Sequence, residues 1–245
     1  IATLMFMKLG GLTVLITNPR DLPAFVKELG SWKFTGLLGV NTLFNGLLNT
    51  PGFDRLDFSS VKFVGGGGAA IQKPVAERWQ KVTGICLTEG YGLTETSPIV
   101  CFMPLGAAWD GTVGFPIPST EVSIRDGEFN ELPVWTGEGD IGKHTGEICI
   151  RGPQVMKGYW NNPAETAGVL HDGWLKTGDV GHLDDQGRVT ITDRKKDMIL
   201  VSGFNVYPNE IESVVAAHPG VLECAAVAVP DEKTGEAVKV VIVRK

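Results

Sequence analysis

The chain is poor in cysteine: Cys86, Cys101, Cys149 and Cys224 are the only four among 245 residues, and no two form a CxxC pair. This spacing excludes a zinc site built on paired cysteines and a disulfide framework, and it favours a reducing, cytoplasmic setting. Long apolar runs are also absent, since none approaches the roughly 18 residues that a membrane-spanning helix needs.

Basic charge and histidine are scarce as well. The net charge of −6 and the pI near 5.3 argue against a dedicated nucleic-acid binder, which normally carries a basic face. The four histidines show no metal-ligand spacing and none stands beside a Ser or Cys in a nucleophile elbow. We therefore assign the histidines no role.

What is present is typical of a globular protein, with 43% hydrophobic and 20% charged residues and 32 glycines. The length suits one large domain or two ordinary ones. The chain starts with Ile1 inside an apolar stretch and ends at Lys245 directly after a strand-like run, so we expect it to be part of a longer protein.

Strand and helix patterns alternate over the first part of the chain, 1–109, which predicts a parallel α/β layer. An apolar run over 1–9 predicts a buried helix, and Asn41 is the predicted N-cap of a helix over 42–48. The other predicted helices are 22–29 and 74–82. The predicted strands are 12–17, 34–40 and 61–64.

The sequence pattern changes after residue 109. Residues 110–192 contain short β-like runs between Gly- and Pro-rich turns and predict a small antiparallel β-barrel or distorted sandwich. A charged segment, 193–197, follows as a predicted hinge. Residues 198–245 carry a β-α-β-β pattern, the start of a small α+β C-terminal domain. The predicted fold class is thus α/β with a β subdomain and an incomplete C-terminal domain.

Chemistry is concentrated in the stretch Gly90–Ser97, read as Gly-Tyr-Gly-Leu-Thr-Glu-Thr-Ser. Tyr91 offers a flat face for a heterocycle, Thr94 a donor to a phosphate oxygen, and Glu95 a hard oxygen ligand that suits Mg²⁺. A polar turn after a buried strand would have the same composition. The tetraglycine Gly65–Gly68 lies between a strand and a helix, where α/β folds bind ligands, although it matches neither a Walker loop nor GxGxxG.

Two further segments carry carboxylates. Asp179 follows Gly178 near the end of a short β-like run, and a carboxylate there could accept from the two hydroxyls of a ribose, or the pair could be an ordinary turn. The run Asp193-Arg194-Lys195-Lys196-Asp197 is either a solvated hairpin edge or a flexible joint whose charges meet a ligand.

Taken in this order, these motifs closely resemble those of the adenylate-forming superfamily, and nearest to them are the bacterial long-chain fatty acid–CoA ligases. The run Gly-Phe-Asn-Val-Tyr-Pro-Asn-Glu-Ile-Glu at 203–212, after 193–199, carries the resemblance. So do Asn-Pro-Arg-Asp at 18–21 and Gly-Val-Asn-Thr-Leu-Phe-Asn at 39–45. The resemblance covers essentially all 245 residues.

The resemblance implies roles for individual residues. It implies that Tyr91, beside Gly92, stacks on adenine, that Thr94 contacts the α-phosphate and that Glu95 ligates Mg²⁺. Asp179 and Arg194 would bind the ribose. Lys196 would be the hinge of the C-terminal domain, and Gly203 would lie at the pantetheine channel. The implied lining of the adenine pocket is Gly66, Gly67, Gly68, Ala69 and Ala70.

The implied activity is ATP- and Mg²⁺-dependent activation of a long-chain fatty acid to an acyl-adenylate, followed by transfer to CoA, with an apolar tunnel beside Asn41–Leu48 for the acyl chain. The family's phosphate loop and its C-terminal catalytic lysine are not found in this sequence, so we expect the 245-residue chain alone to turn over little. Family members that act on membrane-derived fatty acids often sit at the inner membrane face, so the resemblance is compatible with a peripheral contact there and with a homodimer. An amino-acid or aryl-acid adenylation domain, and a non-catalytic nucleotide- or acyl-binding module, are the alternatives.

Overall fold

A computed structural model describes residues 2–244 and divides them into two compact units. The first unit takes in the described residues up to Gly92 together with Met103–Asp110. The second unit takes in Leu93–Phe102 and the described residues from Gly111 onwards. The predicted boundaries at 110, 193 and 198 are not tested by this division and stay predictions.

The first unit is an α/β layer whose helices are α1 (Ala2–Lys8), α2 (Leu22–Gly30), α3 (Asn41–Leu48) and α4 (Lys73–Thr83). Its strands are β1 (Gly36–Gly39), β2 (Phe63–Gly66) and β3 (Thr88–Tyr91). Strand β2 pairs in parallel with β1 on one side and with β3 on the other. The predicted parallel α/β layer is confirmed.

The core of the first unit lies between its helices and its sheet. Helix α2 buries the face of Phe25, Val26 and Leu29 that its periodicity predicts. Helix α4 begins with Pro74 in its first turn, where a missing N–H costs nothing, and ends at Gly84 with a left-handed φ of 76°. The buried residues of both helices belong to one apolar cluster together with Val64 of β2.

Three sequence predictions in this unit are wrong. Helix α1 forms, but Leu4 and Met7 are exposed, because an apolar helix is buried only where another element covers it. Residues 12–17 are not a strand, and Leu12 and Leu15 are exposed. Asn41 does not cap α3; Val40 occupies the N-cap position, and the Asn41 side chain accepts a hydrogen bond from the Gln72 backbone N–H instead.

The second unit begins with the short antiparallel pair β4 (Cys101–Phe102) and β5 (Phe115–Pro116). A larger antiparallel sheet follows, with strand order β10-β9-β7-β6 and β8 paired to β9. Its strands are β6 (Glu121–Arg125), β7 (Gly146–Arg151), β8 (Leu170–His171), β9 (Trp174–Leu183) and β10 (Val189–Arg194). Helix α5 (Pro163–Val169) begins after Asn162, whose side chain accepts from the Glu165 N–H. The predicted antiparallel character is confirmed, but the predicted β-barrel is not closed within the described residues, because β10 and β6 lie at opposite edges of an open sheet.

The remaining elements of the second unit are β11 (Ile199–Val201), β12 (Phe204–Val206), α6 (Pro208–Ala216), β13 (Val221–Asp231) and β14 (Gly235–Arg244). They form a sheet of order β12-β11-β14-β13. Helix α6 is tied to β13 because the Glu212 carboxylate accepts from the Ala226 N–H at 2.8 Å. The sequence pattern predicted these elements except β12.

None of the described helices combines the length and the apolarity that crossing a membrane would need.

Candidate functional site

The tetraglycine of the first unit starts inside strand β2 and leaves it as a loop. Gly65 and Gly66 are buried in the strand, and the Gly67 N–H donates to the Gly39 carbonyl at 3.3 Å. A Cβ at Gly67 would lie 3.0 Å from the Gly90 carbonyl oxygen, and Gly68 has a φ of +80°. Glycine is therefore favoured at Gly67 by close backbone approach and at Gly68 by conformation, and the predicted lining residues at 68–70 are exposed.

The aromatic residue of the central motif ends strand β3. Tyr91 is 8% exposed, whereas Gly92 after it is exposed. The motif is shared between the two units, which divide after Gly92. The stacking role of Tyr91 stays a prediction.

A buried carboxylate stands two residues before Tyr91, and sequence reasoning did not single it out. Glu89 lies in β3 opposite Gly66 of β2. Its Oε1 accepts from the Ile71 N–H at 3.0 Å and its Oε2 from the Trp109 indole N–H at 2.9 Å. Burial raises the pKa of Glu89 to about 7, and the nearby charge of Asp110 adds to the rise. No local sequence signal distinguishes this residue from an exposed strand glutamate.

In the second unit, Thr94 and Glu95 lie in a single 3₁₀ turn, Thr94–Thr96. The turn is fixed from inside because the buried Thr96 hydroxyl accepts from the Leu93 N–H at 2.9 Å and is 3.0 Å from the Pro98 carbonyl. Thr94 is exposed and Glu95 is half-buried. Both predicted ligand contacts are thus on the outside of a rigid turn.

The Glu95 carboxylate is held by a residue that sequence reasoning missed. The Tyr159 hydroxyl donates to Glu95 Oε1 at 2.8 Å, and the Met156 N–H donates to the Glu95 carbonyl at 2.7 Å. The hydrogen bond to Glu95 raises the pKa of Tyr159. Tyr159 is itself anchored to α5, since its N–H donates to the Thr166 hydroxyl at 2.9 Å. One segment, 156–159, therefore fixes both the backbone and the side chain of Glu95.

Asp179 and Arg194, which the sequence predicts to bind ribose, are brought together. They are direct partners across the antiparallel pair β9 and β10, with Arg194 Nε 3.5 Å from Asp179 Oδ1. Asp179 is buried and Arg194 is exposed. The predicted end of a short run at Asp179 is wrong, since β9 continues to Leu183 across Gly178, whose φ is +75°.

A second acidic centre, Glu147 of β7, lies beside them. Its Oε1 accepts from the Gly178 N–H at 3.1 Å, and its Oε2 is 3.2 Å from Lys195 Nζ and 4.0 Å from Lys176 Nζ. A cleft of about 180 Å³ is lined by Glu147, Glu95, Tyr159 and the strand around Gly178. The second unit thus brings Glu95 to the same cleft as the segment that precedes Asp179.

The predicted hinge residue Lys196 is exposed, as is Gly203, whose φ of +83° requires glycine. Within strand β10, Asp193 is buried and fixes the start of α6. Its Oδ2 accepts from the Asn209 N–H at 3.0 Å, and the Asn209 side chain donates to the Thr192 carbonyl at 3.3 Å. The Asp193 side chain is therefore a structural link between β10 and α6.

Within residues 2–244 there is no group of three or more His, Cys, Asp or Glu side chains that could hold a metal ion by themselves. Mg²⁺ in nucleotide sites is commonly bound through one or two carboxylates and completed by phosphate oxygens and water. The half-buried Glu95, whose carboxylate is oriented by Tyr159, could supply one such carboxylate ligand.

Comparison with protein families matches residues 1–160 to the AMP-binding enzyme family and residues 210–245 to the AMP-binding enzyme C-terminal domain. A long-chain-fatty-acid–CoA ligase of Escherichia coli O6:H1 is 54% identical over 243 residues, which are 99% of this chain and 42% of the relative. The chain therefore spans less than half the length of that relative.

Solved structures agree with this relationship. ATP-bound MatB from Rhodopseudomonas palustris matches with a TM-score of 0.86 and 33% identity over 100% of this chain and 47% of that one. The o-succinylbenzoate CoA synthetase MenE of Bacillus subtilis, solved with the acyl-adenylate intermediate OSB-AMP, matches with a TM-score of 0.83 and 27% identity. That match covers 100% of this chain and 48% of the MenE chain.

Proposed function

Because the chain belongs to the AMP-binding enzyme family, we propose that it is part of a long-chain fatty acid–CoA ligase that forms AMP. The observation that carries the proposal is the 54% identity, over 99% of the chain, to a relative of that name. The matched residues are 42% of that relative, so the activity is assigned to the complete ligase.

The reaction needs two steps because a fatty carboxylate is a poor electrophile. In the first, a carboxylate oxygen attacks the α-phosphorus of ATP, a P–O bond to pyrophosphate breaks, and an acyl-adenylate forms. In the second, the CoA sulfur attacks the acyl carbon, the thiol proton is released, and AMP leaves. The first step brings two anions together, so fixed donors and cations lower its barrier.

In the first unit, we propose that the backbone of Gly66–Ala70 lines the adenine pocket. A bare glycine backbone permits a planar base to approach closely. Tyr91, beside Gly92, would stack on the base, a contact worth about 1–3 kcal/mol for aromatic residues and bases.

In the second unit, we propose that Thr94 donates to the α-phosphate and that Glu95 holds Mg²⁺. When bound, Mg²⁺ supplies charge neutralisation at the phosphates. Asp179 accepts from the ribose hydroxyls, and Arg194 orients the Asp179 carboxylate through the 3.5 Å contact between them. Lys196 is the proposed hinge for the C-terminal domain, and Gly203 the proposed contact for the pantetheine arm of CoA.

An apolar cavity in the first unit supports a long acyl substrate. Its volume is about 530 Å³, and Leu37, Leu38, Leu43 and Phe63 are among the side chains that line it. Leu43 belongs to α3, the helix beside which the sequence predicts the acyl tunnel. A cavity of this volume and lining suits an alkyl chain.

The proposal is tested by pyrophosphate release from the full-length protein with acids of 8, 12 and 16 carbons, with aryl acids and with amino acids. We expect CoA-dependent turnover to be highest with the long-chain acids. Preferential turnover of an amino acid or an aryl acid would contradict the proposed substrate class, and ATP binding without pyrophosphate release would favour a non-catalytic module.

Contact with the inner membrane face and assembly as a homodimer complete the proposal. The membrane contact is based on the chemistry of a fatty acid substrate alone. Co-sedimentation with lipid vesicles and light scattering of the full-length protein test the two points separately.

Replacement of Tyr159 by phenylalanine is expected to slow adenylation moderately. The change removes only the hydroxyl that donates to Glu95 Oε1, a hydrogen bond whose loss corresponds to about 0.5–1.5 kcal/mol. We expect adenylation to slow by roughly threefold to tenfold, with more Mg²⁺ needed for half-maximal rate.

A double-mutant cycle provides the control for this prediction. In a Glu95→Ala background, Tyr159→Phe should have no further effect, because the partner of the hydroxyl is gone. Additive losses in the double variant would mean that Tyr159 acts on something other than Glu95.

A further inference from the structure

The loop that follows β2 offers a ligand mainly backbone, so its shape has to be imposed by its surroundings. Hydrogen bonds hold it at three points. The Gly67 N–H donates to the Gly39 carbonyl at 3.3 Å, and the Gln72 N–H donates to Asn41 Oδ1 at 3.0 Å. The third is the Ile71 N–H, which donates to Glu89 Oε1 at 3.0 Å.

The third anchor differs from the other two because it is a carboxylate in the protein interior. Glu89 is 5% exposed and lies opposite Gly66 in the adjacent strand. Its second oxygen accepts from the Trp109 indole at 2.9 Å. Burying a carboxylate is costly, and burial raises its pKa to about 7. A buried carboxylate therefore does not serve the stability of the fold alone.

We propose that Glu89 is a positioning residue for nucleotide binding: by accepting the Ile71 amide, it sets the backbone of the Gly66–Ala70 segment in the shape that receives the adenine base. The inference rests on the proposed function, in which that loop lines the adenine pocket. Glu89 acts through the loop and touches no reacting atom.

Both carboxylate oxygens are needed because each faces an N–H group. Glutamine has the same shape but only one oxygen, so its NH₂ group must face either the Ile71 N–H or the Trp109 indole N–H. A buried donor that loses its acceptor weakens the local structure by an amount that corresponds to roughly tenfold or more in an equilibrium constant. Replacing the indole as well removes the competing donor, and the glutamine oxygen can then turn to Ile71.

The experiment compares three variants of the full-length ligase: Glu89→Gln, Trp109→Phe and the double variant. The affinity for ATP is measured by calorimetry without any acid substrate, and KM and kcat are measured where turnover is observed. We expect Glu89→Gln to weaken ATP binding about tenfold, with kcat at saturating ATP changed less than KM. Trp109→Phe should weaken ATP binding by less than about threefold, and the ATP affinity of the double variant should recover to near the Trp109→Phe value.

Each outcome decides the proposal. Unchanged or tighter ATP binding in Glu89→Gln overturns it, as does a double variant no better than Glu89→Gln. A loss confined to kcat, or to the affinities for acid and CoA, also overturns it. If Glu89→Gln does not fold, the double variant still tests the proposal, because it is expected to fold and to bind ATP about as well as Trp109→Phe does. A wild-type protein that binds ATP but does not activate long-chain acids contradicts the proposed function and leaves this test intact.

Discussion

Replacement of Glu95 by alanine in the full-length ligase is expected to slow acyl-adenylate formation by about 10²–10³-fold, the usual cost of removing one fixed electrostatic group from a reaction centre. The reason is that the Glu95 carboxylate, fixed by the Tyr159 hydroxyl at 2.8 Å, is the proposed Mg²⁺ ligand. The transfer step, started from synthetic acyl-adenylate and CoA, has no ATP polyphosphate to neutralise and should slow far less.

Rapid-quench measurement of each half-reaction separates the two effects. Glu138→Ala is the matched control, because Glu138 is an exposed glutamate of the same unit and is expected to leave both rates nearly unchanged. Equal losses in the two half-reactions of Glu95→Ala would contradict the Mg²⁺ assignment.

Replacement of Trp79 by alanine is expected to lower the free energy of unfolding by about 3–5 kcal/mol, as is usual for a large aromatic removed from a core. Trp79 is 1% exposed on α4, and its ring lies 4.9 Å from that of Phe44 and 5.2 Å from that of Phe53. The cavity left behind would separate α3 and α4. Urea unfolding of the full-length protein, followed by circular dichroism, measures the loss.

Trp160→Ala is the control, because Trp160 is 91% exposed and its removal should change the unfolding free energy by less than about 0.5 kcal/mol. The pair removes the same side chain from two environments, so the difference between them reports burial alone. A Trp79→Ala variant within about 1 kcal/mol of wild type would mean that this aromatic cluster is not a major part of the core.

Much of the secondary structure could be predicted because its causes are local. Helix α2 has its apolar face at helical spacing, α4 has proline in its first turn and Gly84 after its last residue, and α5 begins at Pro163 after the capping Asn162. These signals act within a few residues, so no knowledge of the remaining chain is needed.

Where the predictions were wrong, the cause lies far away in the sequence. Asn41 has the chemistry of a helix cap, yet its side chain accepts from Gln72, 31 residues further on. The apolar segment 12–17 has strand composition, but a strand needs a partner strand, and composition does not say whether one is present. At both places, contacts with distant parts of the chain, or their absence, override the local propensity.

The candidate site divides in the same way. The sequence motifs single out Thr94, Glu95, Asp179 and Arg194 as candidates, and their roles remain proposals. Tyr159 is 64 residues from Glu95 and carries no signal of its own. Only the folded chain makes the two neighbours.

The sequence by itself determined most of the elements, the motifs and the relationship to AMP-binding enzymes, since these depend mainly on residue type and order. The tertiary structure alone decided which side chains hold the motifs in place. Glu89 shows why: in the sequence it is one strand residue among others, whereas in the fold it is enclosed between Ile71 and Trp109, 18 and 20 residues away. Burial and hydrogen-bond partners arise from contacts between distant segments, and they set the charge and the orientation of a carboxylate.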